Sequence, residues 1–168
     1  MKENITADDI HIRTDLKAGD IGYITWLHGT LYKEEYDYSI YFESYVAKGI
    51  SEFYQQYDPA KDRAWICEYN NRIIGFLLLM HRKNATAQLR FFILESNYRG
   101  IGIGKKLMKL LTDFLHEKKY KHCYLWTTNE QHTAIQLYKK NGFILTEEKQ
   151  SDVFGKTLTE QRYDLNVE

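Results

Sequence analysis

The chain has 168 residues, enough for one domain with a substantial core. Its 23 basic residues equal its 23 acidic residues, and this balance argues against a non-specific nucleic-acid binder. No apolar run approaches membrane length and no signal peptide is recognised before Ile10, so we expect no membrane partner. Cys67 and Cys123 stand in apolar contexts typical of packed thiols, which favours a cytoplasmic location. The six histidines lack ligand spacing, so no metal site is predicted.

Residues 1–9 carry little apolar content, and we predict a loose N-terminus ahead of a single domain at 10–168. The hydrophobic pattern predicts an alternation of strands and helices typical of an α/β fold with a mixed sheet. In chain order the expected elements are a strand at 10–16, a helix from 20, a helix at 39–57, strands at 64–69, 73–82 and 86–95, a helix ending near 119, a strand at 121–127, a helix from 128, and strands at 143–153 and 157–167.

Four local signals fix the predicted boundaries. Asp20 is expected to cap the first helix, and Asn70-Asn71 is a two-residue hairpin turn that tolerates positive φ. Thr128-x-x-Gln131 is a capping-box pattern that predicts the start of the last helix. Gly142 suits the left-handed end of that helix.

A glycine-rich stretch, Arg-Gly-Ile-Gly-Ile-Gly-Lys-Lys at 99–106, follows a predicted buried strand and opens a predicted helix. The first N–H groups of a helix have no partner inside it, and glycines let a ligand approach them, so the stretch predicts a seat for phosphates. A P-loop is excluded because no earlier glycine has the required spacing before Lys105, and Lys106 replaces its hydroxyl residue. A dinucleotide fingerprint would need a third glycine at position 105.

Two motifs together resemble the GNAT family of N-acetyltransferases. Arg99-x-x-Gly102-x-Gly104 looks like the acyl-CoA pyrophosphate loop of that family. About thirty residues later, Ala134-x-x-x-Tyr138-x-x-x-Gly142-Phe143 looks like its last helix and the turn that follows. Further phrases, such as His28-Gly29-x-Leu31-Tyr32, look most similar to the acetyltransferase half of proteins that also carry a MarR-type DNA-binding domain. The resemblance implies a mostly antiparallel sheet flanked by helices and splayed after its fourth strand.

The resemblance also implies a reaction, the transfer of an acetyl group from acetyl-CoA directly to a primary amine of a small molecule or peptide. The backbone at Phe92, Ile93 and Leu94 is expected to pair with the pantetheine arm, and either Asn129 or Gln131 is expected to contact it. The pyrophosphate is expected to bind Arg99, Gly100, Ile101, Gly102, Ile103, Gly104 and Lys105.

Tyr138 matches the tyrosine that many relatives use to protonate the departing thiolate; without the family, a packed aromatic is the alternative. The general base is open. Histone-type relatives carry a glutamate where this chain has Gln88, which cannot take a proton. His28 is one substitute because its ordinary pKa is near neutrality, a packed histidine is the alternative, and a chain of waters would also serve.

The acceptor is expected to bind the first two helices, against Trp26, Tyr32 and Glu35. Aromatic side chains cluster there with Glu34, Glu35 and Asp37, which favours a cationic amine, although most of the tyrosines would also suit a core. A second class of function keeps acyl-CoA binding and drops the chemistry, as a sensor or scaffold. A homodimer is left open.

Overall fold

The hydrophobic patterns of the sequence form a seven-stranded sheet with four α-helices in the computed structural model, which describes residues 5–168. In chain order the elements are β1 (His11–Arg13), α1 (Asp20–Tyr36), α2 (Ile40–Gln55), β2 (Arg63–Tyr69), β3 (Arg72–Arg82), β4 (Thr86–Leu94), α3 (Ile103–Glu117), β5 (His122–Thr128), α4 (His132–Lys140), β6 (Ile144–Ser151) and β7 (Leu158–Asn166). Two short 3₁₀ helices, Ala7–Asp9 and Ser96–Tyr98, precede β1 and α3.

The strands lie in the order β1-β2-β3-β4-β5-β7-β6, and among these neighbours only β4 and β5 run parallel. Their pairing is short and joins Thr86–Gln88 to His122–Tyr124. Beyond Gln88 the two strands have no paired register, so the sheet is open between their second halves. The predicted fold class is confirmed: a mixed, mostly antiparallel sheet, flanked by helices and splayed after its fourth strand.

Each face of the sheet carries its own apolar core. On one face α3 and α4 pack on the strands through residues such as Leu107 and Ile135. On the other face α1 and α2 pack through residues such as Ile24 and Val46. The gap between β4 and β5 therefore lies between two helical layers, and side chains from both can reach it.

The predicted turn signals at the hairpin and at the end of α4 are confirmed. Asn70 and Asn71 have φ values of 49° and 58°, the left-handed geometry that a two-residue hairpin turn requires. Gly142 has φ 86°, its N–H donates to the carbonyl of Lys139, and the N–H of Phe143 donates to the carbonyl of Tyr138. These two bonds form a Schellman end, which fixes the last turn of α4.

Two predicted caps are wrong. Gly19 precedes α1 with φ 97°, and Asp20 is instead the first helical residue, buried beside Arg13 at 2.7 Å. Burial of an arginine requires a partner, so the carboxylate serves that ion pair. Thr128 is the last residue of β5, and α4 begins at His132 after Gln131. The first strand is also shorter than expected, because its pairing with β2 stops at Arg13.

The predicted loose N-terminus falls partly outside the described residues, since 1–4 are not described. In the described part, Ile5 and Ala7 pack against the core beneath α3. Lys106 Nζ donates to the carbonyl of Ala7 at 3.2 Å. These residues are held because they cover apolar surface that their sparse composition does not advertise.

Among residues 5–168, no helix is both long enough and apolar enough to cross a bilayer. The same residues contain no group of three histidine, cysteine, aspartate or glutamate side chains arranged to hold a metal ion.

Candidate active site

The turn between β4 and α3 presents a row of backbone donors. Gly100 and Gly102 have φ values of 82° and 100°, which side-chain-bearing residues adopt only with strain. The first bond within α3 runs from the N–H of Lys106 to the carbonyl of Gly102. The N–H groups of the preceding helical residues therefore have no partner inside the helix and lie at its positive end. This geometry suits a phosphate group.

Gly104 has a packing role in the same turn. A Cβ atom at this position would lie 3.2 Å from Leu137 Cδ2 and 3.9 Å from the ring of Phe92. Its missing side chain lets the start of α3 approach both α4 and β4. Of the neighbouring predicted residues, Ile103 is buried in the core, Ile101 packs partly against it, and Lys105 is exposed.

Arg99 ties the start of this turn to two other elements. Its Nε donates to the carbonyl of Leu94 at 2.9 Å, and its two terminal nitrogens lie 2.9 and 3.1 Å from the carboxylate oxygens of Glu35. Glu35, predicted to contact the acceptor, therefore pairs with the turn instead. The guanidinium is already engaged, so it anchors the turn to α1.

β4 carries a bulge where it leaves β5. Phe91 and Phe92 lie opposite the single residue Leu77, and Phe91 has φ 54°. The bulge turns Phe91 and Ile93 toward the core under α1 and α2, and Phe92 and Leu94 toward the core under α3 and α4. The three residues predicted to pair with pantetheine, Phe92 to Leu94, thus lie in the unpaired half of β4.

A cavity occupies the gap between β4 and β5 and is lined from both faces of the sheet. Of the residues predicted as functional, five line it: His28, Tyr32, Phe92, Gln131 and Tyr138. Other lining residues were not singled out from the sequence, among them Phe42, Tyr45, Arg90, Trp126, Thr127 and Glu160. The cavity is the place where the helix carrying Tyr138 meets the first two helices.

Tyr138 enters the cavity from α4. The residue is buried, and its ring lies 6.4 Å from that of Phe92 and 6.1 Å from that of Phe143. No other described residue hydrogen-bonds to its hydroxyl. Burial raises the pKa of the phenol, so it keeps its proton at neutral pH and can donate it.

His28 enters the cavity from α1 with its tautomer fixed. Its Nδ1 lies 2.8 Å from the carbonyl of Ile24, and a carbonyl only accepts, so Nδ1 carries the proton. Nε2 is then an acceptor, and it is buried without a hydrogen-bond partner among the described residues. Burial lowers the pKa of the imidazole to about 4, so the ring is neutral at neutral pH.

The two candidates for a cofactor amide differ in position. Asn129 does not line the cavity, and its Oδ1 accepts from the N–H of Thr159 at 3.2 Å. Gln131 does line it, and its Oε1 accepts from the Tyr32 hydroxyl at 3.2 Å. Of the two, Gln131 is the one that a ligand in the cavity can meet.

Gln88 lines the cavity with its side-chain oxygen already engaged. Arg82 Nε donates to that oxygen at 3.1 Å, and the Tyr124 hydroxyl lies 3.2 Å away. The amide is held in one orientation, and it offers no carboxylate where histone-type relatives have one.

The predicted acceptor residues separate in the fold. Trp26 is 55% exposed, packs on Tyr23 and does not line the cavity. Tyr32 does, and its ring stacks 4.5 Å from that of Phe42. Glu34 and Asp37 are exposed, and neither lines the cavity. The aromatic wall therefore exists, but the carboxylates on which a cationic acceptor was predicted lie elsewhere.

The missed residues differ in how visible they were. Arg90 is two positions after Gln88 on β4, and period-2 alternation assigns both to one face. Glu160 reaches the cavity because β7 pairs with β5, opposite Thr128. That pairing joins residues 32 positions apart, and no local pattern announces it.

Solved structures share this architecture. A GNAT-family acetyltransferase from Staphylococcus aureus superposes with a TM-score of 0.78 at 20% identity, covering 95% of this chain and 99% of that one. Another, from Elizabethkingia anophelis with acetyl-CoA bound, has a TM-score of 0.68 at 20% identity, with 95% and 99% covered. The bound molecule is the acyl donor predicted from this sequence. At these identities the likeness establishes the fold.

The sequence relationship establishes the family. Rat N-acetyltransferase family 8 member 2 is 30% identical over 112 residues, which is 61% of this chain and 50% of that protein. The chain thus matches about half the length of this curated relative. The family model described as the acetyltransferase (GNAT) family matches residues 30–143. The chain therefore belongs to the GNAT family of acetyltransferases.

Proposed function

We propose that this protein is an N-acetyltransferase that moves an acetyl group from acetyl-CoA directly to a primary amine of a small molecule or peptide. The observation that carries the proposal is the cavity in the splayed sheet. It joins a buried tyrosine on α4 to an aromatic wall on α1 and α2, beside a turn suited to phosphates. Donor and acceptor can then meet from opposite faces.

In this proposal the donor binds mainly through backbone. The free N–H groups at the start of α3 hold the pyrophosphate, and Lys105 adds a cation at their edge. The unpaired half of β4, at Phe92 to Leu94, pairs with the pantetheine arm. An N–H at the bulge then lies where the thioester oxygen gains negative charge in the transition state. Gln131 is the proposed amide contact.

The chemistry follows from the two halves. The neutral amine nitrogen attacks the thioester carbon, a C–N bond forms, and the C–S bond breaks. Tyr138 gives its proton to the departing thiolate. His28 accepts a hydrogen bond from the amine through Nε2 and orients it. With a pKa of about 4, His28 is a poor proton store, so the amine proton passes to solvent.

The alternative is an acyl-CoA-binding sensor without turnover. The observation that favours it is the absence of a ready proton acceptor, since Gln88 is an amide held by Arg82 and Tyr124. The buried phenol of Tyr138 favours catalysis, because a sensor has no need of a proton donor there. A cytoplasmic location, a homodimer and the likeness to MarR-linked acetyltransferases stay predictions.

An amine-panel assay that reads free CoA thiol tests the proposal. Purified protein is incubated with acetyl-CoA and mixed amines, and products are identified by mass spectrometry. We expect amine-dependent thiol release and an N-acetylated product. Acetyl-CoA binding without any amine-dependent release would favour the sensor.

A further inference from the structure

Arg90 is a cation at the cavity with no acidic partner. Its side chain lines the cavity from β4. The nearby arginines are engaged elsewhere: Arg99 pairs with Glu35, and Arg82 donates to Gln88. Among residues 5–168 no carboxylate lies within ion-pair distance of the Arg90 guanidinium, which instead donates to the Tyr45 hydroxyl at 3.0 Å.

The guanidinium is held in place before any ligand arrives. It lies over the ring of Phe91 at 4.5 Å and over that of Tyr45 at 5.4 Å. α2 makes room for it at Gly49, where a Cβ atom would lie 2.9 Å from an Arg90 terminal nitrogen. A fixed guanidinium loses little side-chain freedom when it binds, and its planar fork matches a carboxylate.

The other titratable groups at the cavity leave this charge unbalanced. His28 is neutral, as its fixed tautomer and burial dictate. Glu160 is the one carboxylate that lines the cavity, and it already faces Lys149 Nζ at 3.8 Å. Glu160 is also on β7, separated from β4 by β5 in the sheet. An acceptor that suits this wall brings a negative charge to Arg90.

Resting on the proposed function, we propose that the acceptor is an amino carboxylate, such as an amino acid, whose carboxylate binds Arg90 while its amino group is acetylated. Arg90 is two residues before Phe92 on β4, so the bound carboxylate lies close to the bulge where the thioester is proposed to react. The aromatic rings of Tyr32, Phe42 and Tyr45 leave an apolar surface for the acceptor's side chain. This assignment replaces the acidic wall predicted on α1.

The test compares acceptors that differ only in charge. Amino acids are paired with their carboxamides, for example methionine with methioninamide, and spermidine represents a polycationic acceptor. Each is assayed with wild type, Arg90→Gln, Arg90→Lys and Glu160→Gln. Arg72→Gln, which removes an arginine paired with Glu95 outside the cavity, is the matched control. Circular dichroism and melting temperature establish that each variant is folded.

We expect the amino acid to be preferred over its carboxamide in wild type. Arg90→Gln should raise KM for the amino acid by about 10- to 100-fold, the effect of losing a hydrogen-bonded charge partner, and leave KM for the carboxamide unchanged. Arg90→Lys should recover part of the loss, because it keeps the charge but not the fork. Arg72→Gln and Glu160→Gln should leave the amino acid's KM within about twofold.

A binding measurement separates this inference from the proposed function. The melting temperature of the protein with CoA is recorded with N-acetylmethionine and with its carboxamide, in wild type and in Arg90→Gln. Arg90-dependent stabilisation by the carboxylate, without turnover of any amine, would support the carboxylate site and overturn the catalytic proposal. Turnover of carboxamides or spermidine with no dependence on Arg90 would overturn the carboxylate site and leave catalysis standing. Neither binding nor turnover would overturn both.

Discussion

The donor half and the acceptor half of the cavity are built in different ways. The donor half consists of the end of β4, the glycine turn and the start of α3, with α4 behind them, and most of it is contiguous in sequence. The acceptor half joins side chains that are far apart in the chain. Tyr38, for example, hydrogen-bonds to Thr128 at 2.7 Å, and Tyr32 to Gln131 at 3.2 Å.

This difference follows from what each half recognises. A phosphate is held by backbone N–H groups, so the donor half depends on glycines, a strand end and a helix start. An acceptor is recognised by side chains, so the acceptor half depends on which charges remain unpaired after folding. Glu35 and Arg90 exchange the roles that their positions in the chain predict. The predictions below test where one half ends and the other begins.

The largest effect is expected from Tyr138→Phe. The ring and its packing are kept, and only the proton that the thiolate needs is removed. Because general acid catalysis contributes about 10² to 10⁴ in rate, kcat should fall by a factor in that range, with little change in CoA affinity or melting temperature. Steady-state kinetics and single-turnover rates measure this. An unchanged chemical step would return Tyr138 to a packing role.

His28 should make folding stability depend on pH. Its pKa is about 4 in the folded state against about 6.5 when unfolded, so the unfolded chain binds more protons between these values. Stability should therefore fall as the pH drops through this window, by about 2 kcal/mol at pH 5 relative to neutral pH. Urea unfolding of wild type and His28→Gln at both pH values measures the difference.

The control for this experiment is His132→Gln, an exposed histidine at the start of α4. It should keep the wild-type pH dependence, whereas His28→Gln should lose about 2 kcal/mol of it. Equal slopes in all three proteins would mean that the imidazole of His28 is not buried as described.

Lys105→Glu should weaken the donor half alone. Lys105 is exposed at the start of α3, so reversing its charge perturbs the phosphates without disturbing the core. We expect the Kd for CoA to rise about five- to tenfold at low salt, less at high salt, and the acceptor KM to stay constant. Lys109→Glu, one turn further along α3, is the matched control and should change Kd by less than twofold.

The smallest effect sharpens the boundary between the halves. Glu35→Gln removes the carboxylate that occupies Arg99, so the guanidinium is freed for the phosphates. We expect the Kd for CoA to fall about two- to fivefold, as for a partly exposed ion pair, and the acceptor KM to stay unchanged. Glu34→Gln, at the exposed neighbouring position, serves as the control. A selective rise in acceptor KM would assign Glu35 to the acceptor half after all.

The sequence predicted the donor half because its signals are local. A strand, three glycines and an amphipathic helix stand in a row, and the Schellman glycine at 142 marks the end of α4. Even there, Thr128 and Gln131 satisfied a capping pattern without forming a cap. The pattern failed because Thr128 still belongs to β5 and pairs with β7.

The acceptor half could be predicted only in outline. Aromatic residues at helical spacing indicated a wall on α1, and Tyr32 lies in it while Trp26 faces solvent. The unpaired charge of Arg90 depends on Tyr45, Gly49 and the bulge, which come from three elements. Which carboxylate neutralises which arginine is decided by tertiary contacts, and composition alone does not contain that information.

The central claim is that the glycine turn and Tyr138 serve the same bound donor. A crystal structure of the protein with CoA tests it most directly. We predict the pyrophosphate at the backbone N–H groups of residues 100–105 and the thiol sulfur within hydrogen-bond reach of the Tyr138 hydroxyl, in the gap between β4 and β5. Pyrophosphate bound elsewhere, or a sulfur on the far side of the sheet from Tyr138, would contradict the account.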